Sequence, residues 1–189
     1  MSVPSTPALE PSRNAPFVTE SRGPLRHAPA PTALGVFTLV ADDTALTAVH
    51  YPGQAPSSEG AWGTPVRAHE HQVLGPAATQ LAEYVLGSRR TFDLPLRPAG
   101  TPFQRDAWAA LLAIPYGATR SYREQAEALG RPSAVRAVGA ANGRNPIPVV
   151  IPCHRVIGAG GALTGYAGGT ALKRALLDLE SGVRTLPSG

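Results

Sequence analysis

The sequence predicts an α/β N-terminal domain, a small sheet with one helix, followed by a mainly α C-terminal domain containing a helix-turn-helix. Three observations carry that prediction. Two short β-rich runs, Val36-Phe37-Thr38-Leu39-Val40 and Leu46-Thr47-Ala48-Val49-His50-Tyr51, flank Asp42 and Asp43 and read as a hairpin. Ala77, Ala78, Leu81, Tyr84 and Val85 then recur at helical spacing. Past residue 100 the texture changes to short helices, each opened by a capping signal. With 189 residues, 43% hydrophobic and 16% charged, the chain can bury a core, which excludes wholesale disorder.

Residues 1–31 hold seven of the twenty prolines and almost no apolar periodicity, so they read as a disordered Pro-rich leader. The α/β domain is placed at 32–96. Residues 52–71 are rich in Gly, Pro and Ser and are expected to form a loop. Gly87 stops the helix that follows. Pro95, Pro98 and Gly100 mark a linker over 92–100. The C-terminal domain is placed at 97–189. It opens on Thr101-Pro102-Phe103-Gln104, a capping box with proline at the first helical position. Phe103, Ala107, Leu111 and Ile114 share one face of that helix, and Pro115 and Gly117 end it. Ser121-Tyr122-Arg123-Glu124 is a second capping box, with a helix to about Leu129 stopped by Gly130. Ser133 is expected to cap a third helix from about Ala134 to Ala141. Two short helices joined by a glycine-containing turn make the helix-turn-helix.

Seventeen basic residues against thirteen acidic give +4, and Lys173 is the single lysine. The excess is uneven. Residues 97–155 carry eight arginines against Asp106, Glu124 and Glu127, whereas residues 1–96 carry six basic and eight acidic side chains. Positive charge concentrated on the helical half suits phosphate binding, although a solvated basic face would show the same bias. The third helix is nearly all small or apolar, offering only Arg136, with Asn142 beyond its end. A major-groove reader presents several side chains to base edges. Small residues instead let a backbone approach the narrow minor groove, with one long side chain free to enter the base stack. They would equally suit packing on a neighbouring helix, and the two uses can share opposite faces.

Cys153 is the sole cysteine, which excludes an internal disulfide, a CxxC pair and a multi-thiolate zinc site. It is either a structural thiol or a reactive one. In Asn145-Pro146-Ile147-Pro148-Val149-Val150-Ile151-Pro152-Cys153-His154-Arg155-Val156 the alternating prolines predict an extended chain that delivers Cys153 beside His154 and Arg155. A base or positive charge nearby turns a thiol into a nucleophile. Neighbours in an extended chain point apart, so a bridging water suits Cys153 and His154 better than a direct bond. Leu172, Leu176 and Leu179 mark the buried stripe of the last helix, and Glu180 at its edge is a candidate partner for His154.

The segments 145–156 and Leu163-Thr164-Gly165-Tyr166-Ala167-Gly168-Gly169, with Ser121-Tyr122 and Arg136-Ala137-Val138-Gly139, resemble the O6-alkylguanine-DNA alkyltransferases, the methylated-DNA–protein-cysteine methyltransferases. The resemblance spans roughly residues 101–180, and Phe92-Asp93-Leu94-Pro95-Leu96 and the hairpin suit the family's N-terminal domain. It implies direct, stoichiometric and irreversible transfer of the alkyl group of O6-alkylguanine, and of O4-alkylthymine, in double-stranded DNA to Cys153. The DNA is bound through the minor groove and the damaged base is flipped out. The implied catalytic set is Cys153, His154, Glu180, Asn145 and Tyr122. The implied DNA contacts are Ser121, Tyr122, Ala134, Arg136, Ala137, Gly139, Ala140 and Arg144, with Arg136 filling the vacated stack. Pro148, Val156, Tyr166, Ala167 and Gly168 line the implied base pocket, main-chain groups of Cys153, Val156 and Ala167 reading the base edge. Many relatives carry serine where Ala167 stands.

Two other readings are weighed against this one. Alkyltransferase-like proteins grip the lesion without repairing it, but they lack the reactive cysteine that stands here as Cys153. A helix-turn-helix regulator with a redox-sensing thiol would need base-reading side chains on the third helix. No cofactor or metal is expected, and His69 and His71 read as loop residues. No stretch is long and apolar enough to cross a membrane, and no apolar signal core opens the chain. A cytoplasmic monomer is expected.

Overall fold

The computed structural model describes residues 16–163 and 165–182. Its N-terminal sheet has the order β3-β2-β1-β4, from β1 (Arg26–Thr32), β2 (Gly35–Ala41), β3 (Leu46–His50) and the two-residue β4 (Thr64–Pro65). The hairpin read from the sequence is β2–β3, antiparallel, with a register shift at Val40/Ala41. The Asp42 carboxylate fixes its turn by accepting the Thr44 and Ala45 amides and pairing with Arg97. Helix α1 (Leu74–Val85) buries Leu74, Ala77, Leu81, Tyr84 and Val85. His71 caps it through Nδ1, which accepts the Val73 and Leu74 amides at 3.2 and 3.3 Å.

The leader placed at 1–31 is corrected at its end. Residues 26–31 belong to β1, paired with β2 from Arg26↔Ala41 to Thr32↔Gly35. Pro29 and Pro31 are tolerated because of their phase. His27 offers its carbonyl to Val66 on the β4 side, so residues 29 and 31 face the same way, and β4 pairs only with Arg26 and His27. Neither proline therefore leaves a gap in the β1–β2 ladder. The apolar period was hidden because Ala28 and Ala30 are the buried positions. Upstream, Val18 donates to the Leu96 carbonyl and Phe17 packs on the core. Residues 1–15 of the expected leader lie outside the described residues. The linker over 92–100 is likewise tied down: Leu96 is buried, and the Leu46 amide and carbonyl bond Pro95 and Arg97.

The C-terminal part comprises α2 (Pro102–Leu112), β5 (Arg120–Ser121), α3 (Tyr122–Ala128), α4 (Val135–Gly143), β6 (Val156–Ile157) and α5 (Thr170–Ser181). Both capping boxes form, Thr101 with Gln104 and Ser121 with Glu124. Ser133 does not cap α4; it sits in a 3-10 turn, and Ala134 occupies the cap position without a side-chain bond. The small residues of α4 let it press against α2 and α3, where Trp108 Nε1 donates to the Ala141 carbonyl at 2.9 Å. Asn142 is not a free base-reader past the helix end. It is buried inside α4 and exchanges amide bonds of 2.7 and 3.2 Å with Gln125 of α3. This pair fixes the angle of the helix-turn-helix.

One apolar core runs through both parts, from Ala28, Leu39 and Leu81 to Trp108, Ile147, Ile151, Cys153 and Leu176. The Val49 amide of β3 bonds the Pro146 carbonyl at 2.8 Å, so the cysteine segment is braced by the N-terminal sheet. No helix of the described residues is long and apolar enough to cross a membrane.

Candidate active site

Asn145 builds the turn before the thiol. Its Oδ1 accepts the Ile147 amide at 3.0 Å, and its Nδ2 donates to the Ile151 carbonyl at 2.8 Å. The Ile151 amide closes on the Ile147 carbonyl at 2.9 Å. Between them Val149 has φ 71°, the left-handed region that a β-branched residue avoids. Its buried side chain and these bonds hold it there. The chain is therefore not extended here: it turns tightly, and Cys153–Arg155 form a 3-10 turn after Pro152. Prolines exclude an α-helix, but they also stabilise tight turns, and the asparagine decides between turn and extension.

The turn sends its three side chains to different places. Cys153 is buried. Burial is the largest influence on its thiol and pushes it up to about 11, against the Asn145 side chain, the Lys173 charge and the backbone amides of Cys153 and His154. Lys173 is the cation beside the sulfur; its Nζ donates to the Val156 carbonyl at 2.6 Å. Arg155 points away, to Glu180 and to the Ile114 carbonyl at 2.6 Å.

His154 is fully buried, with Nε2 2.6 Å from Glu180 Oε1. Burial pushes its pKa down, opposed by Glu180. Glu180 accepts donors on both oxygens. Oε1 takes His154 and the Tyr84 hydroxyl, while Oε2 takes Arg155 Nε at 2.9 Å and the Gly117 amide at 2.8 Å. Burial raises the cost of its charge, but these donors outweigh that and hold the carboxyl down at about 2. An ionised Glu180 requires a donor on the imidazole, so Nε2 carries the proton and Nδ1 is an acceptor. Nδ1 is a buried side-chain nitrogen without a bonding partner among the described residues. Unsatisfied buried groups are rare and call for an explanation. Nδ1 sits on the residue next to the thiol, and Tyr166 interacts electrostatically with Cys153.

Of the other residues implied by the resemblance, Tyr122 and Tyr166 interact electrostatically with Cys153. Tyr122, at the start of α3, stands with its ring 3.8 Å from where a β-carbon on Gly139 would lie and its hydroxyl 3.8 Å from the same point on Gly165. Tyr166 meets Tyr51 edge to face at 5.5 Å. Gly168 is glycine because a β-carbon would come within 2.6 Å of the Tyr51 ring. Ala167 is exposed and Pro148 buried. The main-chain groups expected to read a base are partly committed. The Val156 amide bonds the Cys153 carbonyl, the Cys153 amide bonds Ile151, and the Val156 carbonyl takes Lys173. Each carbonyl keeps a second lone pair.

On α4, Arg136, Ala137 and Ala140 are exposed and Gly139 half-buried, while Val138, Ala141 and Asn142 face inward. The two uses of small residues thus fall on opposite faces. Ser121 and Ala134 are half-buried and Arg144 is exposed. A cleft of about 970 Å³ between the N-terminal sheet and residues 97–106 contains none of the side chains of this centre. No group of three or more His, Cys, Asp or Glu side chains suited to a metal occurs among the described residues.

Sequence reasoning missed Tyr84 and Lys173. Tyr84 falls on the apolar stripe of α1 and looks like core. Lys173 had a signal: the only lysine lies three residues before Leu176 and seven before Glu180, on the buried face of α5.

Comparisons with known proteins agree with this geometry. Residues 102–182 match the family described as 6-O-methylguanine DNA methyltransferase, DNA binding domain. Residues 25–98 match its ribonuclease-like domain. The constitutive methylated-DNA–protein-cysteine methyltransferase of Bacillus subtilis is 54% identical over 123 residues, covering 63% of this chain and 74% of that protein. The methylated-DNA–protein-cysteine methyltransferase of Mycobacterium bovis is 47% identical over 147 residues, 78% of this chain and 87% of that one. The crystal structure of Mycobacterium tuberculosis OGT in complex with DNA superimposes with a TM-score of 0.75 at 44% identity, covering 83% of this chain and 93% of that chain.

Proposed function

The chain belongs to the 6-O-methylguanine DNA methyltransferase family, and from that premise we propose that it repairs DNA by transferring the alkyl group of O6-alkylguanine, or of O4-alkylthymine, to Cys153. The observation that carries this reading is the buried relay Glu180–His154, whose free acceptor Nδ1 belongs to the residue after the only thiol. That is the order of groups a nucleophile needs: a base beside it and an anion behind the base.

In this reading the exposed small face of α4, with Ala137, Gly139 and Ala140, lies against the minor groove of double-stranded DNA. Ser121, Ala134 and Arg144 contact the backbone. Arg136 enters the stack left by the flipped base. The base enters a pocket of Pro148, Val156, Tyr166, Ala167 and Gly168, with Tyr122 donating to the guanine ring. His154 Nδ1 takes the thiol proton through a bridging water, and Glu180 offsets the imidazolium charge. The sulfur attacks the alkyl carbon; an S–C bond forms as the C–O6 bond breaks. The electron pair stays on the guanine, which is protonated through the Tyr122 hydroxyl; the proton taken from the thiol passes from His154 to solvent and balances it, and the repaired base stays in the DNA. Asn145 holds the sulfur toward the pocket throughout. The thioether product has no way back, so each chain acts once. We assign DNA binding and alkyl acceptance to residues 97–189. The protein acts as a monomer, since one chain carries the thiol, the relay and the DNA face. A reducing cytoplasm would keep the single thiol free.

Mixing the protein with a duplex carrying O6-methylguanine should add one methyl group per chain, located on Cys153 by intact mass and peptide mapping. Cys153→Ser should bind the lesion and leave it unrepaired. Tight binding with Cys153 unmodified would overturn alkyl transfer and favour a lesion-gripping protein.

A further inference from the structure

We propose that Tyr84, carried by helix α1 of the N-terminal domain, is a positioning residue for alkyl transfer: its hydroxyl holds the Glu180 carboxylate in register with His154. This deepens the alkyl-transfer reading and rests on it. The Tyr84 side chain is wholly buried, and its hydroxyl donates to Glu180 Oε1 while standing 3.3 Å from His154 Nε2. Phe92, 5.0 Å away, and Tyr116, edge-on at 5.9 Å, fix the ring. A phenylalanine would fill the same space. Burying a hydroxyl is favourable only where it is bonded, and this one is bonded to the relay.

The relay needs such a bond because of Arg155. Its Nε lies 2.9 Å from Oε2 and 3.1 Å from Oε1, so it competes with His154 for Oε1. Gly117 anchors Oε2 alone. Tyr84 is the donor that approaches Oε1 from the N-terminal domain and opposes rotation of the carboxylate toward Arg155. Without it, the Glu180–His154 bond loosens and the imidazole loses its fixed orientation. Burial, reinforced by Glu180, keeps the phenol protonated, so it remains a donor throughout the working range.

The test compares Tyr84→Phe and Phe92→Leu with the wild type in the full-length protein. Single-turnover methyl transfer from an O6-methylguanine duplex is followed from acid to neutral pH. Binding of the same duplex is measured in a Cys153→Ser background, and thermal melts report the fold. Tyr84→Phe should bind normally and transfer ~10- to 100-fold more slowly, the range for losing one hydrogen bond to a charged group. Its acid limb should move to lower pH, because a carboxylate turned toward Arg155 supports the His154 imidazolium less. Phe92→Leu should lower the melting temperature and keep the wild-type acid limb. Wild-type rate and pH profile in Tyr84→Phe would overturn the proposal. So would a Phe92→Leu variant that reproduces both effects, since loosened packing would then suffice. A wild-type protein that transfers no methyl group would instead overturn the alkyl-transfer reading itself, and this inference with it.

Discussion

Replacing Glu180 with glutamine keeps the shape of the side chain and removes its charge, in a place where nothing can compensate. The Glu180 side chain is 1% exposed and accepts from His154, Arg155, Tyr84 and Gly117. A glutamine offers one acceptor oxygen. If that oxygen stays at the His154 side, the NH₂ faces the Gly117 amide and Arg155 Nε, donor against donor. If it flips, the NH₂ faces His154 Nε2 and forces the proton to Nδ1, which can then no longer accept from the thiol. The carboxyl is held at about 2 against an ordinary 4.5. At about 1.4 kcal/mol per unit, that depression corresponds to about 3 kcal/mol of folding stability. Breaking a buried ion pair independently costs ~3–5 kcal/mol. The folded pKa lies below the unfolded one, so the stabilisation is present above about 4.5 and is lost as the pH falls toward 2. Urea unfolding should show the variant about 3 kcal/mol less stable at neutral pH, with the gap closing in that acid window. Methyl transfer should fall on the order of 10⁴-fold, as expected when a base is locked in the wrong tautomer. Equal stability at neutral pH, or a gap that persists undiminished in strong acid, would refute the assignment of an ionised, four-donor Glu180.

Three further substitutions probe separate parts of the molecule. Asn145→Ala removes two backbone bonds and a donor to the sulfur. It should cost ~1–3 kcal/mol and shift the pH midpoint of iodoacetamide modification upward relative to the wild type, because the thiolate loses a donor. Ala140→Glu places a carboxylate on the exposed face of α4. It should weaken duplex binding at least ~10-fold at low salt, measured by fluorescence anisotropy, and leave reaction with free O6-methylguanine base unchanged. Asn142→Ala leaves the buried Gln125 Oε1 without its donor, although Nε2 keeps the Ala107 carbonyl, and chemical denaturation should register a loss of ~1–3 kcal/mol.

What the sequence disclosed was local. Capping boxes at Thr101 and Ser121 announce helices because the reciprocal bonds join residues three apart. Cys153, His154 and Glu180 could be brought together in reasoning because helical phase alone places Glu180 beside the core stripe of α5. The misreadings are equally physical. Two alanines between prolines do not look like the core face of β1, yet they are nearly unexposed. The prolines around Asn145 suggest an extended chain, because proline excludes helix without choosing between turn and strand. Tyr84 could not be found at all: it meets Glu180 across 96 positions, and nothing in a helical apolar stripe reveals that one hydroxyl is aimed at a distant carboxylate.

The raised pKa of the thiol is compatible with its chemistry once burial and activation are separated. A solvent-exposed thiolate would be open to any oxidant or electrophile, and this chain has a single thiol for a single turnover. Burial keeps Cys153 protonated in the free protein and so protects it. In the proposed mechanism the means of removing the proton are already in place. Glu180 stays charged because four donors hold it, His154 stays neutral because it is buried, and its free Nδ1 is the one strong acceptor of the relay. The barrier that remains is the cost of a buried thiolate, and an alkyl carbon seated against the sulfur relieves it by consuming the charge as it forms. Reactivity is thereby tied to occupancy of the pocket, which is what a protein inactivated by its own reaction requires.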